Sequence, residues 1–179
     1  MTGIQRDGDV IELRLAAEER PILASLAASL AEMLEPSGRT GDSDPLAKLV
    51  GLSVDPVDKP DDPALRRLLP DAYADADGAA EFRRLTDGEL RAEKVANLRR
   101  ILDGATAAHG LVRIEPGEVD GWLAGLNDIR LVIGERLEMT EEREHLEHLD
   151  ADDPRLPLLA AYDWLAGIQE WILEILLGD

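Results

Sequence analysis

The sequence contains no cysteine among its 179 residues. This absence excludes disulfide bonds, thiolate chemistry and every zinc site that needs cysteine ligands. Aromatic residues are scarce as well, at 3% of the chain, so leucine, alanine, valine and isoleucine must fill the interior. Because hydrophobic residues still make up 45% of the sequence, the composition is that of a globular domain with a core of its own.

Basic residues are in short supply. Lysine and arginine total 19 against 38 aspartates and glutamates, which gives a formal net charge of −19. Such an acidic protein is repelled by the phosphate backbone, and no basic stripe compensates, so we expect no direct nucleic-acid binding. Anionic membrane surfaces are disfavoured for the same reason, whereas a basic surface on a partner protein would attract the chain.

Long apolar segments are also missing. No run of 18 apolar residues occurs, which predicts that the chain does not span a membrane. The first ten residues lack the basic and apolar regions of a signal peptide, so we expect a cytoplasmic protein. The three lysines are outnumbered by arginines, which together with high alanine and glycine suggests a GC-rich bacterial source.

Two segments have the alternation of a strand with one buried face. The first is Val10 to Leu15, and Asp7-Gly8 before it is a common hairpin turn, so Ile4 to Leu15 is predicted to form a β-hairpin. The second is Leu111 to Ile114, which is followed by proline and glycine. Short strands of this kind must lie against helices. The sequence therefore predicts a mainly α, single-domain multi-helix bundle over residues 1–179, with a small antiparallel hairpin or three-stranded sheet at about residues 4–15 and 111–115.

Helical periodicity and capping signals predict the other elements. Asp62 followed by Pro63 is an N-cap with proline at the first helical position. Thr86 and Glu89 have the spacing of a capping box, which divides the region before Gly104, a plausible helix terminator, into two helices. The predicted helices cover residues 17–35, 63–69, 77–85, 87–102, 119–137 and 155–177, with a short one at 45–52 and a charged one capped by Thr140 at 141–149.

The remaining region, residues 37–63, holds most of the turn-forming residues of the chain. We expect it to be the most mobile, loop-rich segment. The last helix, 155–177, is different again, because apolar residues cover about two-thirds of its circumference. A helix this apolar either lies at the centre of the core or buries a face in an oligomer, so a homodimer formed through it is a hypothesis.

Motifs that carry catalysis are not found. The sequence has no glycine-rich phosphate loop, no nucleophile elbow and no zinc-protease motif. Glu142 and His145, with His148 nearby, have the Glu-x-x-His spacing of di-metal helix bundles, but such a site needs a second copy of the motif, which is missing. A solvated, charged helix explains these residues better. We therefore assign no catalytic residue, no metal ligand and no cofactor.

Several helices place polar side chains within their apolar faces. On the helix 119–137, Arg130 falls inside the apolar stripe, between Leu137 and Leu123, and Asn127 lies at its edge. An unpaired buried charge is too costly to keep, so Arg130 needs a partner or a function. The candidate residues for a buried polar network or pocket are Arg130, Asn127, Lys94, Asn97, Glu81 and Gln169.

Two interpretations of this group stay open. In the structural one, Arg130 pairs with an acid such as Glu81, Asp71 or Asp163, and the network sets the register of the helices. In the functional one, Arg130 and Lys94 line a pocket for a small anion. The long side chains of arginine and lysine at a helix flank can also carry their charged ends out to solvent, which weakens both interpretations.

Three blocks of sequence carry a resemblance to a known family: "DPALRRLLPDAYADADGAAEFRRLT", "WLAGLNDIRLVIGERL" and the closing "YDWLAGIQEWILEILL". In their order and spacing they resemble an actinobacterial family of domains of unknown function, associated with the AosR-type oxidative-stress transcriptional regulator. The resemblance extends from "VIELRL" to the last helix. It implies a non-enzymatic, transcription-related regulator that acts through protein–protein contacts with an alternative sigma factor or RNA polymerase.

The family's redox control is attributed to a Cys-x-x-x-Cys pair, and this sequence has no cysteine, so that switch does not carry over. The alternative function is that of a ligand-binding domain or an uncharacterised enzyme, with a polar pocket around Arg130 and Lys94.

Overall fold

A computed structural model of the chain describes residues 3–35, 60–71, 76–140, 146 and 149–178. The elements in these ranges are three strands, five helices and two short 3₁₀ turns. One 3₁₀ turn lies on each side of the third strand. The strands are β1 (Gly3–Asp7), β2 (Val10–Arg14) and β3 (Leu111–Ile114). The helices are α1 (Glu19–Leu34), α2 (Pro63–Leu68), α3 (Ala76–Thr106), α4 (Val119–Arg136) and α5 (Leu156–Leu177).

The three strands form one antiparallel sheet in the order β1-β2-β3. Gly8 has a φ of +62° in the turn between β1 and β2, a conformation that glycine adopts without strain. Ile11 and Leu13 of β2 are buried together with Val112 and Ile114 of β3, so the sheet presents one apolar face to the helices. The predicted hairpin and the predicted third strand are therefore confirmed.

Helix α4 lies at the centre of the helical layer. It contacts α1, α2, α3 and α5, and α1 packs along α3. Its buried side chains, Trp122, Leu126, Ile129 and Ile133, recur with the three- and four-residue spacing of an amphipathic helix. The mainly α architecture with a small antiparallel sheet is thus as the sequence predicted.

The predicted division of residues 77–102 into two helices is wrong, because α3 runs without interruption from Ala76 to Thr106. Thr86 does not cap a helix start; its hydroxyl donates to the carbonyl of Phe82, one turn earlier, at 2.9 Å. Asp87 is buried within the helix and accepts a hydrogen bond from Nε of Arg91 at 2.7 Å. Both side chains are therefore satisfied inside one continuous helix, and neither is needed as a cap.

Gly104 does not end α3 either. A β-carbon at this position would lie 2.7 Å from Cζ2 and 2.8 Å from Cη2 of Trp122, which is almost fully buried. The glycine lets the tryptophan ring of α4 approach the backbone of α3. Its role is therefore close packing, and the helix continues to Thr106.

The capping signal before α2 is confirmed. Asp62 accepts a hydrogen bond from the backbone N–H of Ala64 at 2.7 Å, and Pro63 occupies the first turn. Before α5, Asp153 accepts a hydrogen bond from the backbone N–H of Arg155 at 2.8 Å, and the helix begins at Leu156, one residue after the predicted start.

Other predictions fall outside the described residues. These are most of the loop-rich segment 37–63, the short helix at 45–52, and the start of the charged helix after Thr140. Among the helices that the structure describes, none combines the length and the apolar character needed to cross a bilayer.

Candidate functional site

Arg130 lies where α4 packs against α5, and two α5 side chains hold its guanidinium group. Its Nη1 donates a 2.7 Å hydrogen bond to Oε1 of Gln169, and its Cζ lies 4.6 Å from the centre of the Tyr162 ring. Nε2 of Gln169 donates in turn to the backbone carbonyl of Leu123 at 3.1 Å. The hydrogen bond and the cation–π contact therefore hold the guanidinium group in one orientation.

The acids predicted to pair with Arg130 lie elsewhere. Asp71 pairs with Arg83 of α3. Glu81 pairs with Arg84 at 2.8 Å, three residues further along the same helix. Glu81 and Arg84 are therefore neighbours on one surface of α3, and Glu81 is not part of the group around Arg130.

Arg130 forms no ion pair with any carboxylate in the part of the chain that the structure describes, and Asp163 is exposed. The side chain is half-buried, and its Nε is buried without a hydrogen-bond partner among the described residues. The amide oxygen of Gln169 and the face of the Tyr162 ring replace part of the water that the cation loses. The charge is therefore held by neutral groups.

Lys94 belongs to a different group of polar residues, between α3 and α4. Its Nζ donates a 2.7 Å hydrogen bond to Oδ1 of Asp128, whose side chain is 5% exposed. Burial raises the pKa of the Asp128 carboxyl, and the hydrogen bond and positive charge of Lys94 offset part of that rise. Lys94 and Arg130 thus lie on opposite sides of α4, and the predicted single network is divided into two.

Asn97 lies one turn beyond Lys94 and is buried. Its Oδ1 accepts a 2.8 Å hydrogen bond from Nη1 of Arg100. A β-carbon at Gly121 would lie 2.8 Å from the same oxygen, so Asn97 packs directly against the backbone of α4. Asn97 therefore joins Lys94 on the α3 side and not Arg130.

The sequence analysis missed Asp128, although a signal for it existed. Gly121, Gly125 and Asp128 follow one another at spacings of four and three residues and therefore share one face of α4. A β-carbon at Gly125 would lie 2.6 Å from Cδ1 of Ile101, which shows how closely this face approaches α3. The two glycines therefore indicate the face of α4 that packs against α3, and an acidic side chain on that face must be buried between the two helices.

A cleft of about 130 Å³ opens on the α2 side of Arg130. Asn127 and Arg67, near the end of α2, line it with exposed side chains, and the half-buried Tyr162 of α5 lines it as well. The other lining residues are Leu131, Gly134, Glu135 and Met139. Arg67 was also missed, because "ALRRLL" contains adjacent arginines and only the packing of α2 on α4 decides which one faces the cleft.

A larger groove of about 710 Å³ lies on the other side of Arg130, along α5. Its polar lining consists of Arg130, Gln169, Glu170 and Glu174, and its apolar and backbone lining consists of Ala166, Leu173, Leu177 and Gly178. Arg130 therefore lies between two concavities. Of the predicted candidates, Arg130, Asn127 and Gln169 line them, whereas Lys94, Asn97 and Glu81 do not.

Glu142, His145 and His148 lie outside the described residues. A search of the described ranges for three or more histidine and acidic side chains able to hold a metal ion finds no such group.

Comparison with known proteins gives one family and several relatives. A family model described as a domain of unknown function, DUF2017, matches residues 1–176. Proteins called oxidative stress regulator AosR, from Mycobacterium bovis and Mycobacterium tuberculosis, are 29% identical over 188 residues, covering 97% of this chain and 85% of theirs. A relative from Mycobacterium leprae is 27% identical over 178 residues, covering 92% of this chain and 81% of its own. No solved structure matches significantly.

Proposed function

This chain belongs to the DUF2017 family, and on that basis we propose that it is a non-enzymatic regulator in the response to oxidative stress that acts through contacts with other proteins. The observation that carries the proposal is the similarity to the mycobacterial regulators over 97% of the chain. The partner that the proposal names is an alternative sigma factor or RNA polymerase.

The second half of α5 offers a surface for such a contact. Leu173, Leu176 and Leu177 are 44%, 44% and 81% exposed, and they lie within about one helical turn on one side of α5. Leu173 and Leu177 also line the groove beside Arg130. A groove with an apolar floor and charged edges suits an amphipathic helix of a partner, whose apolar side chains would cover the leucines.

The charge of the chain supports a protein partner over nucleic acid. With 38 acidic and 19 basic residues, the molecule attracts basic surfaces and repels phosphate. Glu170 and Glu174 lie at the groove, where they would meet basic residues beside the apolar contact. A partner helix with one apolar and one basic side therefore fits both features.

The test is capture of the purified alternative sigma factors and RNA polymerase of the host by the purified chain. Leu173→Lys should weaken the complex roughly tenfold or more, because it places a charge where an apolar side chain would be buried. The control is Leu85→Lys on α3, since Leu85 is also 44% exposed and does not line the groove. Equal weakening by both variants would argue against the α5 surface, and no complex with any of these partners would refute the proposed role.

The same experiments are run in reducing and oxidising buffer. Because the chain has no cysteine, any dependence of the affinity on thiol oxidation should come from the partner. Light scattering at high protein concentration tests the homodimer hypothesis. A dimer that Leu173→Lys converts to a monomer would assign the groove to a second copy of the chain.

We also propose, as the alternative, that the chain is a ligand-binding domain with its site at Arg130. The observation that favours it is the position of this guanidinium between two concavities, held by neutral partners. Lys94 is not part of this site, because its ammonium group is bonded to Asp128 on the other side of α4.

A thermal-shift screen with charged and neutral small molecules tests the ligand-binding role. Gly134→Leu is the filling variant, because a β-carbon at Gly134 makes only ordinary contacts, 3.6 Å from Tyr162 and 3.8 Å from Met139. The rest of the leucine side chain would occupy the cleft. A ligand of the cleft should raise the melting temperature of the wild type and not that of Gly134→Leu, and a screen without any such compound would refute the role.

A further inference from the structure

We propose that Arg67, Asn127 and Arg130 form a binding site for a small oxyanion, a phosphate, a sulfate or a short carboxylate. The inference rests on the proposed ligand-binding role, to which it adds Arg67 and the chemical class of the ligand. Such a site needs two cationic side chains that face one cleft, at least one of which is held in a fixed orientation. It also needs a cleft of the size of a small oxyanion.

Neither of the two arginines forms an ion pair with a carboxylate among the described residues. Acidic residues outnumber basic ones by 38 to 19, so an arginine meets an acid easily. Seven other arginines in the described ranges do so, namely Arg83, Arg84, Arg91, Arg99, Arg113, Arg136 and Arg155, whereas Arg14, Arg20, Arg66 and Arg100 do not. Arg67 and Arg130 are the two arginines that line the cleft, and both retain donors for a ligand.

Arg130 is already held in place for binding. Gln169 accepts from its Nη1 at 2.7 Å, and the Tyr162 ring lies against its Cζ at 4.6 Å. A ligand that approaches from the cleft therefore meets a cation whose rotamers are restricted, which lowers the entropy lost on binding. The exposed amide of Asn127, one helical turn earlier on α4, adds a neutral donor at the same cleft.

The size of the cleft sets the class of ligand. Its volume of about 130 Å³ is slightly below the roughly 150 Å³ of a cavity that admits benzene, and well below the ~300 Å³ of the smallest pockets for drug-sized molecules. The cleft therefore encloses a group of only a few heavy atoms. The planar, forked donors of arginine match the paired oxygens of carboxylate and phosphate groups, so two arginines in a small cleft favour an oxyanion.

Glu135 is the opposing charge at this site. It also lines the cleft, so the charged side chains there are two arginines and one glutamate. The glutamate repels an anion and competes for the arginines, although it is within ion-pair distance of neither. Distant acidic residues matter less, because charges more than about 8 Å away are largely screened at physiological salt.

The test is titration of the wild-type chain with sodium phosphate, sulfate and acetate, followed by calorimetry, with chloride at the same ionic strength as the reference. Arg67→Gln should weaken oxyanion binding roughly tenfold or more, as expected when one charge-assisted hydrogen bond is lost. Arg66→Gln is the matched control, since Arg66 precedes Arg67 on α2, is also exposed, and does not line the cleft. Glu135→Gln should strengthen binding.

A second measurement does not depend on variants. In ¹H–¹⁵N spectra of the arginine Nε–Hε groups, the signals of Arg67 and Arg130 should shift with the anion concentration, whereas that of Arg66 should not. No saturable binding of any of the three oxyanions would overturn the inference, as would equal effects of Arg66→Gln and Arg67→Gln. If neutral compounds bind at the cleft and oxyanions do not, the ligand-binding role stands and the oxyanion site is refuted.

Discussion

Two glycines of α3 offer a test of the fold in which the expected effects have opposite signs. Gly88 and Gly104 lie in the same helix, and each is replaced by alanine. In a helix interior, alanine is more favourable than glycine by about 1 kcal/mol, because glycine loses more backbone entropy on folding. Any departure from that value reports on what surrounds the new methyl group.

At Gly88 a β-carbon would have no heavy atom within 4 Å, and the residue is exposed. Gly88→Ala should therefore stabilise the protein by about 0.5–1 kcal/mol. At Gly104 the β-carbon would lie 2.7 Å from Cζ2 of Trp122 and 3.0 Å from Cγ1 of Val112, and Trp122 is 2% exposed. Overpacking of this kind costs about 1–3 kcal/mol, which outweighs the helix-propensity gain of about 1 kcal/mol, so Gly104→Ala should be net destabilising by up to about 2 kcal/mol.

The assay is urea unfolding followed by circular dichroism, with the slope of the transition checked for equality among the variants. In thermal unfolding, each kcal/mol corresponds to a shift of about 2–4 °C for a domain of this size. The two sites are about 24 Å apart along the helix axis, so the double variant should show the sum of the single effects.

The results that would refute the reasoning differ for the two sites. A destabilising Gly88→Ala would indicate that this glycine is not inside a helix. A stabilising Gly104→Ala would indicate that the Trp122 ring does not lie against α3.

The remaining predictions concern the two polar groups. Arg130→Ala should lower the free energy of unfolding by about 1–3 kcal/mol, the sum of a hydrogen bond and a cation–π contact; a loss above about 4 kcal/mol in urea unfolding would indicate a carboxylate left buried without its partner. Lys94→Met should cost about 3–5 kcal/mol because it strands the buried Asp128 carboxylate, and Lys94→Met/Asp128→Leu should recover most of that loss. Because the folded-state pKa of Asp128 is raised, its contribution to stability is fully present below the unfolded pKa and falls as pH rises through the folded pKa. The stability advantage of the wild type over Asp128→Asn should therefore decrease from about pH 4 towards neutral pH, and an advantage that grows with pH would contradict the raised pKa.

Local signals in the sequence predicted most of the described elements. The alternation in β2 and the Asp62-Pro63 cap are short-range patterns, and the structure contains both features where they were predicted. The Thr86–Glu89 pattern failed because a threonine hydroxyl can satisfy either a helix start or the carbonyl one turn earlier. The local sequence does not decide between these two hydrogen bonds, since the choice depends on how the residues before Thr86 pack.

Pairing between charges was harder to predict than helices. The chain offers 38 acids for 19 bases, so proximity in sequence could not identify the partners of Arg130 or Lys94. Arg130 is held by Gln169 and Tyr162, which are 39 and 32 residues away along the chain. The helical wheel showed that Arg130 lies within the apolar stripe of its helix, but it did not identify the partners of the side chain.

The sequence alone determined the absence of thiol chemistry, the acidic charge, the hairpin, and the amphipathic face of α4, because these properties depend on composition or on residues within a few positions of one another. Only the tertiary structure decided that α3 is continuous, that Lys94 and Arg130 belong to separate groups on opposite sides of α4, and that Arg67 and not Arg66 faces the cleft. These outcomes depend on how helices far apart in the chain approach one another, and that approach is set by the summed packing of the whole core.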